Sequence, residues 1–304
     1  MRKIEAIFCS DIHASSNAPI FRCEDPDWFA AMKRPLDELK RIQKQNGNPP
    51  VIIAGDIFDI PKPSPDIINF LLKELPDNVY AIPGQHDLPY HNFEDIGLSS
   101  FETLVLSGKI RLLSRKPLLL KNSRIFGFPW NFEIEQPEKN DGRLNVAVVH
   151  KYIWIPKHNY IIAPESNNIN NSFFKKALKN FDLAIFGDNH SGFESKVWTT
   201  TVYNCGCFMR RKQDEISYDP AIGLFTDDGE IERHYLNCTK DKYSSITKQF
   251  EAKEFINTTD FVKELSGMSD IDLDIDNCIK KELNKQDVND GVRKFITELM
   301  EDVK

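Results

Sequence analysis

Short apolar runs alternate with amphipathic segments through the first two thirds of the chain. Runs rich in Val and Ile, typical of strands buried on both faces, occupy residues 3–10, 51–56, 79–84, 144–150 and 183–188. Between and after them, apolar positions recur at helical spacing over residues 28–43 and 65–75, with shorter candidate helices at 101–107 and 173–178. This strand–helix–strand alternation predicts crossover connections and a largely parallel central sheet.

The pattern changes toward the C-terminus. Two hairpins are predicted, one pairing residues 117–120 with 124–128 and one pairing 221–226 with 231–236 around Asp228-Gly229. From about residue 240 an acidic stretch is followed by a helical stripe of apolar residues between Val292 and Val303. The sequence therefore predicts one domain over residues 1–239 and an acidic helical C-terminal segment over 240–304.

Composition narrows the class of protein. The chain has 304 residues, 40% of them hydrophobic and 28% charged, which are values of a globular protein. Apolar runs are too short for a membrane span, and the N-terminal run is too short for a signal peptide, so we expect a cytoplasmic protein with no membrane partner. The six cysteines lack zinc-finger spacing and are expected to be reduced thiols. A net charge of −7 argues against a broad non-specific grip on nucleic acid, but not against a local basic patch.

Polar residues follow five of the predicted strands, at the edge where α/β sheets bind ligands. They are Asp11 and His13, Asp56 and Asp59, Gln85, His86 and Asp87, His150, and Asp188 and His190. One such residue alone is more often structural, but five groups in this order indicate a site. Carboxylate, imidazole and amide groups together are ligands of Mn²⁺, Mg²⁺, Fe²⁺ or Zn²⁺. Converging carboxylates repel one another without cations, so two ions bridged by one carboxylate are expected.

The order of these motifs resembles that of the calcineurin-like metallophosphoesterases, D-x-H, G-D-x-x-D, G-N-H-D, H and G-H-x-H, over residues 1–236. Within that family, the stretches PGQHDLPYHN and NCGCFMRR and the run to Leu112-Leu113 are most similar to SbcD-type DNA repair nucleases, in their bacterial or phage-encoded form. The resemblance implies an α/β fold, a β-sandwich flanked by helices (αββα) with a small C-terminal helical appendage.

The resemblance also implies two divalent metal ions. Mn²⁺ is the expected metal, and Mg²⁺ and Fe²⁺ are the alternatives. Their ligands would be Asp11, His13, Asp56, Gln85, His150, Asp188 and His190. Asp56 would bridge the two ions. His86 and Asp87 would form the catalytic pair, His86 as proton donor to the leaving oxygen or as a phosphate clamp. Asp87, like Asp59, would orient its neighbours.

Two ligands depart from the family pattern. Gln85 stands where the family has Asn, and Asp188 stands where it has a His that binds the second metal. Both changes keep an oxygen donor. The added negative charge of Asp188 is expected to shift the preference from Zn²⁺ toward Mn²⁺ or Mg²⁺.

Substrate contacts are predicted from residues near these motifs. His91 would line the substrate groove, and Arg210 and Arg211 would hold a phosphate backbone, the alternative for the two arginines being a solvated charge run. Trp130 and Trp154 would stack bases or pack in the core.

Three functions remain open at this point, and all start from two-metal phosphodiester hydrolysis. The first is an SbcD-type nuclease that acts on DNA with an SbcC-type coiled-coil ATPase, engaged through the C-terminal segment; a homodimer is a further expectation. The second is a phosphodiesterase on small or cyclic nucleotide substrates. The third is a metal-binding scaffold with weak or no turnover.

Overall fold

Two mixed β-sheets form the centre of the fold in the computed structural model, which describes residues 2–137, 142–156 and 164–244. In chain order the strands are β1 Ile4–Cys9, β2 Val51–Ile53, β3 Val79–Ala81, β4 Ile110–Leu112, β5 Leu118–Leu119, β6 Ser123–Phe128, β7 Leu144–His150, β8 Leu183–Gly187, β9 Phe193–Val197, β10 Thr200–Asn204, β11 Ala221–Thr226 and β12 Ile231–Tyr235. The α-helices are α1 Trp28–Gln45, α2 Pro65–Glu74, α3 Ser100–Leu106 and α4 Ser172–Ala177. Short 3₁₀ turns include Pro89–His91 and Gln213–Glu215.

Both sheets are mixed: the first has antiparallel strands at one edge, and the second has them at both edges. The first has the order β12-β11-β1-β2-β3-β4, with β1 to β4 parallel and β11 and β12 antiparallel. The second has the order β5-β6-β7-β8-β10-β9, with β6, β7, β8 and β10 parallel. Cys9, Ile53 and Ala81 are in register at the ends of β1 to β3, and His150 pairs with Gly187. The loops that follow these strands therefore begin at the same level of each sheet.

Three hydrophobic layers hold the sheets and helices together. The layer between the sheets contains Phe8 and Ile52 from the first sheet and Val148 and Ile185 from the second. The outer face of the first sheet packs against α1, α2 and α3, and the outer face of the second packs against α4. These layers form the αββα sandwich, so the predicted fold class is confirmed.

The structure extends the predicted set of elements. The four helices predicted before residue 240 and both predicted hairpins are present. The strands form two sheets, as the resemblance implies, and not the single central sheet that the strand–helix alternation predicts. β4, β9 and β10 were not predicted. Residues up to 244 belong to the same compact unit as the sheets. The predicted C-terminal helical segment, residues 240–304, lies outside the described part of the chain from residue 245 onward, so it and the boundary at 239 stay predictions.

Across the described ranges, no helix combines the length and the apolar character that crossing a membrane requires.

Candidate metal centre

The predicted ligands meet where the strand ends of the two sheets face each other. Four of them have a left-handed backbone, with φ of 55° at Asp11, 46° at His13, 52° at Asp56 and 85° at Asp188. Non-glycine residues in this region cost about 1–3 kcal/mol each and cluster at functional sites. Here the loops hold one another: His13 N donates to Asp56 O at 2.9 Å, and Asp188 N donates to the Asp11 carboxylate at 3.1 Å.

Asp56 lies between two groups of donor atoms. On one side, His13 Nε2 and His190 Nε2 are 3.1 Å apart, and each is 3.7 Å from Asp11 Oδ1. On the other side, His150 Nε2 is 3.3 Å from Asp56 Oδ2, which is also 3.7 Å from His13 Nε2. Two groups of side chains bring their ligand atoms close enough together to hold a metal ion. They are Asp11 with His13 and His190, and Asp11 with Asp56 and His150. A third, overlapping cluster joins His13 and Asp56 to His86.

The donor atoms fit divalent cations. Asp56 Oδ2, Gln85 Oε1 and His150 Nε2 are buried and have no hydrogen-bond partner in the protein, although buried polar atoms normally have one. Donors bound to one ion at roughly 2.1 Å and at right angles lie about 3.0 Å apart, close to the separation of the two imidazole nitrogens. A side chain at Gly84 would overlap Asp56 Oδ1 and come within 2.6 Å of His150 Nε2, so only glycine leaves this space open.

The electrostatics of the cluster favour positive charge. Burial lowers the pKa of His13 and of His150, but the surrounding carboxylates outweigh it and raise the pKa to about 9 for His13 and to about 10 for His150. Asp11 and Asp56 contribute to both shifts. Carboxylates that hold protons on buried imidazoles this strongly also attract a divalent cation to the same atoms.

The two departures from the family pattern contact each other. Gln85 Nε2 donates to Asp188 Oδ1 at 2.7 Å, and this bond leaves Gln85 Oε1 as the unpartnered atom described above. Burial and the nearby Asp11 raise the pKa of Asp188. Both side chains therefore reach the second-metal side of the cluster as a bonded pair; metal ligation by Asp188 stays a prediction.

Comparison with known proteins agrees with this geometry. Residues 5–192 match the family described as calcineurin-like phosphoesterase. The chain belongs to this family. Metallophosphoesterases use divalent metal ions, and the protein is therefore a metal-dependent phosphoester hydrolase.

Three of the similar solved structures are enzymes with low sequence identity to this chain. An archaeal phosphodiesterase is 15% identical to this chain. The match covers 78% of this chain and 100% of the archaeal chain, with a TM-score of 0.42. A putative 5′-nucleotidase from Staphylococcus aureus is 12% identical. The match covers 80% of this chain and 56% of the nucleotidase chain, with a TM-score of 0.46. The sulfate thiohydrolase SoxB from Thermus thermophilus is 11% identical. The match covers 81% of this chain and 59% of the SoxB chain, with a TM-score of 0.46. Comparison with curated protein sequences gave no match.

His86 and Asp87 of this phosphoesterase occupy different environments. His86 lies at the rim of the cluster, where its Nδ1 is 2.9 Å from Asp59 O and its backbone N donates to Asp56 Oδ1 at 2.9 Å. Asp87 is fully buried and accepts backbone N–H groups of Ile57, Phe58 and Gly84. Burial and the neighbouring Asp56 raise the pKa of Asp87 to about 7. Asp87 thus ties together the loops that carry Asp56 and Gln85, while the proton-donor role of His86 stays a prediction.

The predicted substrate-binding residues are already engaged within the protein. His91 Nδ1 is 2.9 Å from Gln85 O in an exposed turn. The Arg210 guanidinium donates to Tyr218 O and to Asp219 Oδ1 at 2.6 Å. Arg211 Nη1 donates to Asp59 Oδ1 at 2.8 Å. Contact of these side chains with a phosphate stays a prediction, and each arginine already holds one carboxylate in the protein.

Glu215 is a site residue that the sequence did not predict. Its Oε1 lies 2.5 Å from His190 Nδ1, and its Oε2 accepts the backbone N–H groups of Arg211 and Lys212. It sits at the end of a short 3₁₀ turn, 25 residues after His190. No strand-end motif precedes it, so periodicity gives no signal for its role.

Proposed function

We propose that this phosphoesterase is a DNA nuclease of the SbcD type that works with a coiled-coil ATPase partner. The carrying observation is the position of the two segments most similar to those nucleases, residues 83–92 and 204–211. The first supplies Gln85 and His86. In the second, Cys207 N donates to His190 O at 2.9 Å and Phe208 N donates to Asp11 O at 3.2 Å. These two stretches of resemblance therefore contact the loops of the metal centre, which supports a nuclease.

The ligands of the cluster are assigned to two metal ions. The first ion would be held by Asp11, His13 and His190, and the second by Asp56 and His150, with Asp56 shared. Bound ions would supply Lewis-acid stabilisation of the phosphoryl charge and activation of the attacking water.

His86 is placed to hold or give up a proton beside the cluster. Its Nδ1 faces the Asp59 carbonyl, which favours the tautomer with the proton on Nδ1 and, when the ring is protonated, leaves Nε2–H for a leaving oxygen. A deoxyribose oxygen is a poor leaving group and needs such a proton, which suits a phosphodiester of DNA.

Aromatic side chains flank the cluster. The Trp130 ring centroid is 6.3 Å from that of His150, and Trp130 is only partly buried. Tyr90 is 86% exposed in the turn that follows His86. Aromatic rings beside a phosphodiester site can stack on nucleobases, which supports a substrate that contains nucleotides.

The partner assignment rests on charge and sequence. A net charge of −7 gives the chain a weak electrostatic attraction to DNA, which suits a nuclease that depends on a second protein for DNA binding. The helical stripe between Val292 and Val303 would engage the ATPase; it lies outside the described residues.

The test compares substrates in one buffer. Purified protein with Mn²⁺ is given labelled single- and double-stranded DNA, bis-p-nitrophenyl phosphate and a cyclic nucleotide, with Asp56→Asn as the inactive control. Cleavage of DNA that requires Mn²⁺ and is lost in Asp56→Asn supports the nuclease. Turnover of the small esters alone would favour the small-substrate phosphodiesterase, and bound metal without turnover would favour the scaffold.

A pair of variants sharpens the assay. Trp130→Ala should slow DNA cleavage more than hydrolysis of bis-p-nitrophenyl phosphate, because only DNA carries bases to stack. Tyr235→Ala removes an exposed aromatic ring from the edge strand β12 and should change neither rate. Equal losses on both substrates in Trp130→Ala would contradict base stacking at this position.

A further inference from the structure

We propose that the loop of residues 210–215 is a positioning device for the first metal site and that Glu215 is its principal residue. The inference concerns the metal centre of this phosphoesterase and holds whether or not DNA is the substrate. Glu215 also lies beyond residue 192, where the match to the family ends. The matched motifs therefore do not assign its role.

Glu215 fixes the orientation of the His190 ring. The Glu215 carboxylate is 5% exposed, and both of its oxygens are occupied, one by His190 Nδ1 and the other by the N–H groups of Arg211 and Lys212. A carboxylate at Nδ1 holds the ring proton there, so Nε2 presents its lone pair to the cluster. That atom is the one that lies 3.1 Å from His13 Nε2 and 3.7 Å from Asp11 Oδ1.

The same loop also reaches the second histidine of the site. Arg211 Nη1 donates to Asp59 Oδ1 at 2.8 Å, and this oxygen lies 3.5 Å from His13 Nδ1. A separation of 3.5 Å is long for a hydrogen bond, so this contact is weaker than that of Glu215. The loop of six residues therefore contacts His190 directly and reaches His13 only through Asp59.

The loop is itself anchored to the body of the protein. Arg210 bonds to Tyr218 O, Asp219 and, at 3.0 Å, the Tyr243 hydroxyl. Arg22, whose side chain is fully buried, donates to Arg210 O at 2.6 Å. These hydrogen bonds restrain the loop. Restraint is needed here, because a carboxylate on a mobile loop would not hold an imidazole in one orientation.

The decisive variant is Glu215→Gln. The glutamine keeps the size of the side chain but removes the charge, and its single carbonyl oxygen cannot accept from both His190 and the two backbone N–H groups. Loss of a partner of this kind lowers metal affinity by roughly 10–100-fold. Asp214→Asn is the matched control, because Asp214 is the exposed neighbour in the same loop and carries the same charge.

Metal binding is measured directly and not only through activity. Mn²⁺ is titrated calorimetrically into metal-free parent, Glu215→Gln, Glu215→Asp and Asp214→Asn, and the Mn²⁺ concentration for half-maximal hydrolysis of bis-p-nitrophenyl phosphate is determined for each. We expect one of two sites to weaken by roughly 10–100-fold in Glu215→Gln, less in Glu215→Asp, which keeps the charge, and not at all in Asp214→Asn. At saturating Mn²⁺ the kcat of Glu215→Gln should return close to the parent value.

Other outcomes overturn the inference. Unchanged Mn²⁺ affinity in folded Glu215→Gln would show that the contact does not position His190. Equal weakening in Asp214→Asn would reduce the effect to general electrostatics. A loss of kcat that Mn²⁺ does not restore would assign Glu215 a purely structural role. If Glu215→Gln fails to fold, Glu215→Asp decides by the same titration.

Discussion

Replacing the shared carboxylate, Asp56→Asn, is the sharpest perturbation of the metal centre. Asp56 is 1% exposed; its Oδ1 accepts the His86 N–H, and its Oδ2 faces His150 and His13 without a hydrogen-bond partner. Asparagine preserves the shape, the Oδ1 acceptor and the left-handed backbone, which it tolerates. The change therefore isolates the charge and lone pairs that Oδ2 offers to both ions.

The expected effect on stability follows from linkage. At a Mn²⁺ concentration 100 times Kd, binding stabilises the folded parent by about 2.7 kcal/mol. At about 2–4 °C per kcal/mol, the melting temperature should rise by roughly 5–10 °C. If Asp56→Asn raises Kd by 100-fold, the gain at the same Mn²⁺ concentration falls to about 0.4 kcal/mol, a rise of roughly 1–2 °C. Activity should fall by about 10³-fold, since several kcal/mol of transition-state stabilisation are lost.

The assay is a thermal melt of metal-free protein with and without Mn²⁺, together with metal analysis of the dialysed protein. Asp77→Asn, which neutralises a fully exposed carboxylate, should show the parental rise. Two fully occupied metal sites in Asp56→Asn, or a melting rise equal to that of the parent, would refute the bridging assignment.

Three further predictions follow from the site and its surroundings. His86→Ala should keep both metals and lower turnover by about 10²–10⁴-fold, with smaller losses on esters that have good leaving groups, because those need no proton. Asp188→Ala should weaken the second metal and lose activity, whereas Asp188→His should stay active within roughly tenfold and move the metal optimum toward Zn²⁺ or Fe²⁺, because imidazole suits these ions. Truncation after Ser244 should leave the fold and ester hydrolysis intact and abolish partner-dependent DNA cleavage.

Each of these has a result that contradicts it. Metal loss in His86→Ala would make His86 a ligand, and an equal loss on every ester would make it a phosphate clamp. Parental behaviour of Asp188→Ala with every metal would remove Asp188 from the ligand set. An unfolded product after truncation at Ser244 would place the C-terminal segment in the core.

A shorter truncation is the matched control for the last prediction. Stopping after Lys240 also removes Asp241, which pairs with Arg34 at 2.9 Å and with buried Arg22 at 3.1 Å. The shorter protein should be less stable by about 2 kcal/mol, because Arg22 keeps Asp25 at 2.7 Å but loses its second carboxylate partner. Equal melting temperatures of the two truncations would contradict that reading of the ion pair.

The strands that carry the site were predictable because each has two independent signals, a buried apolar run and a polar end. The missed strands lack them. β4 has a charged residue, Arg111, at its centre and no Asp, His or amide at its end. β9 and β10 are joined through Trp198, whose φ of 53° fills a left-handed turn position without the Gly, Asn or Asp that marks a hairpin. Glu215 was missed because its contact with His190 is set by the tertiary fold and leaves no local pattern.

The left-handed backbone at Asp11, Asp56 and Asp188 limits what alanine scanning can measure here. An alanine at these positions loses the side chain and also meets a backbone conformation that favours Gly and Asn, so chemistry and strain change together. A saturation library scored separately for abundance and for activity would resolve the two. Asn and Gly should give abundant, inactive protein at these positions, while Val and Ile should reduce abundance as well.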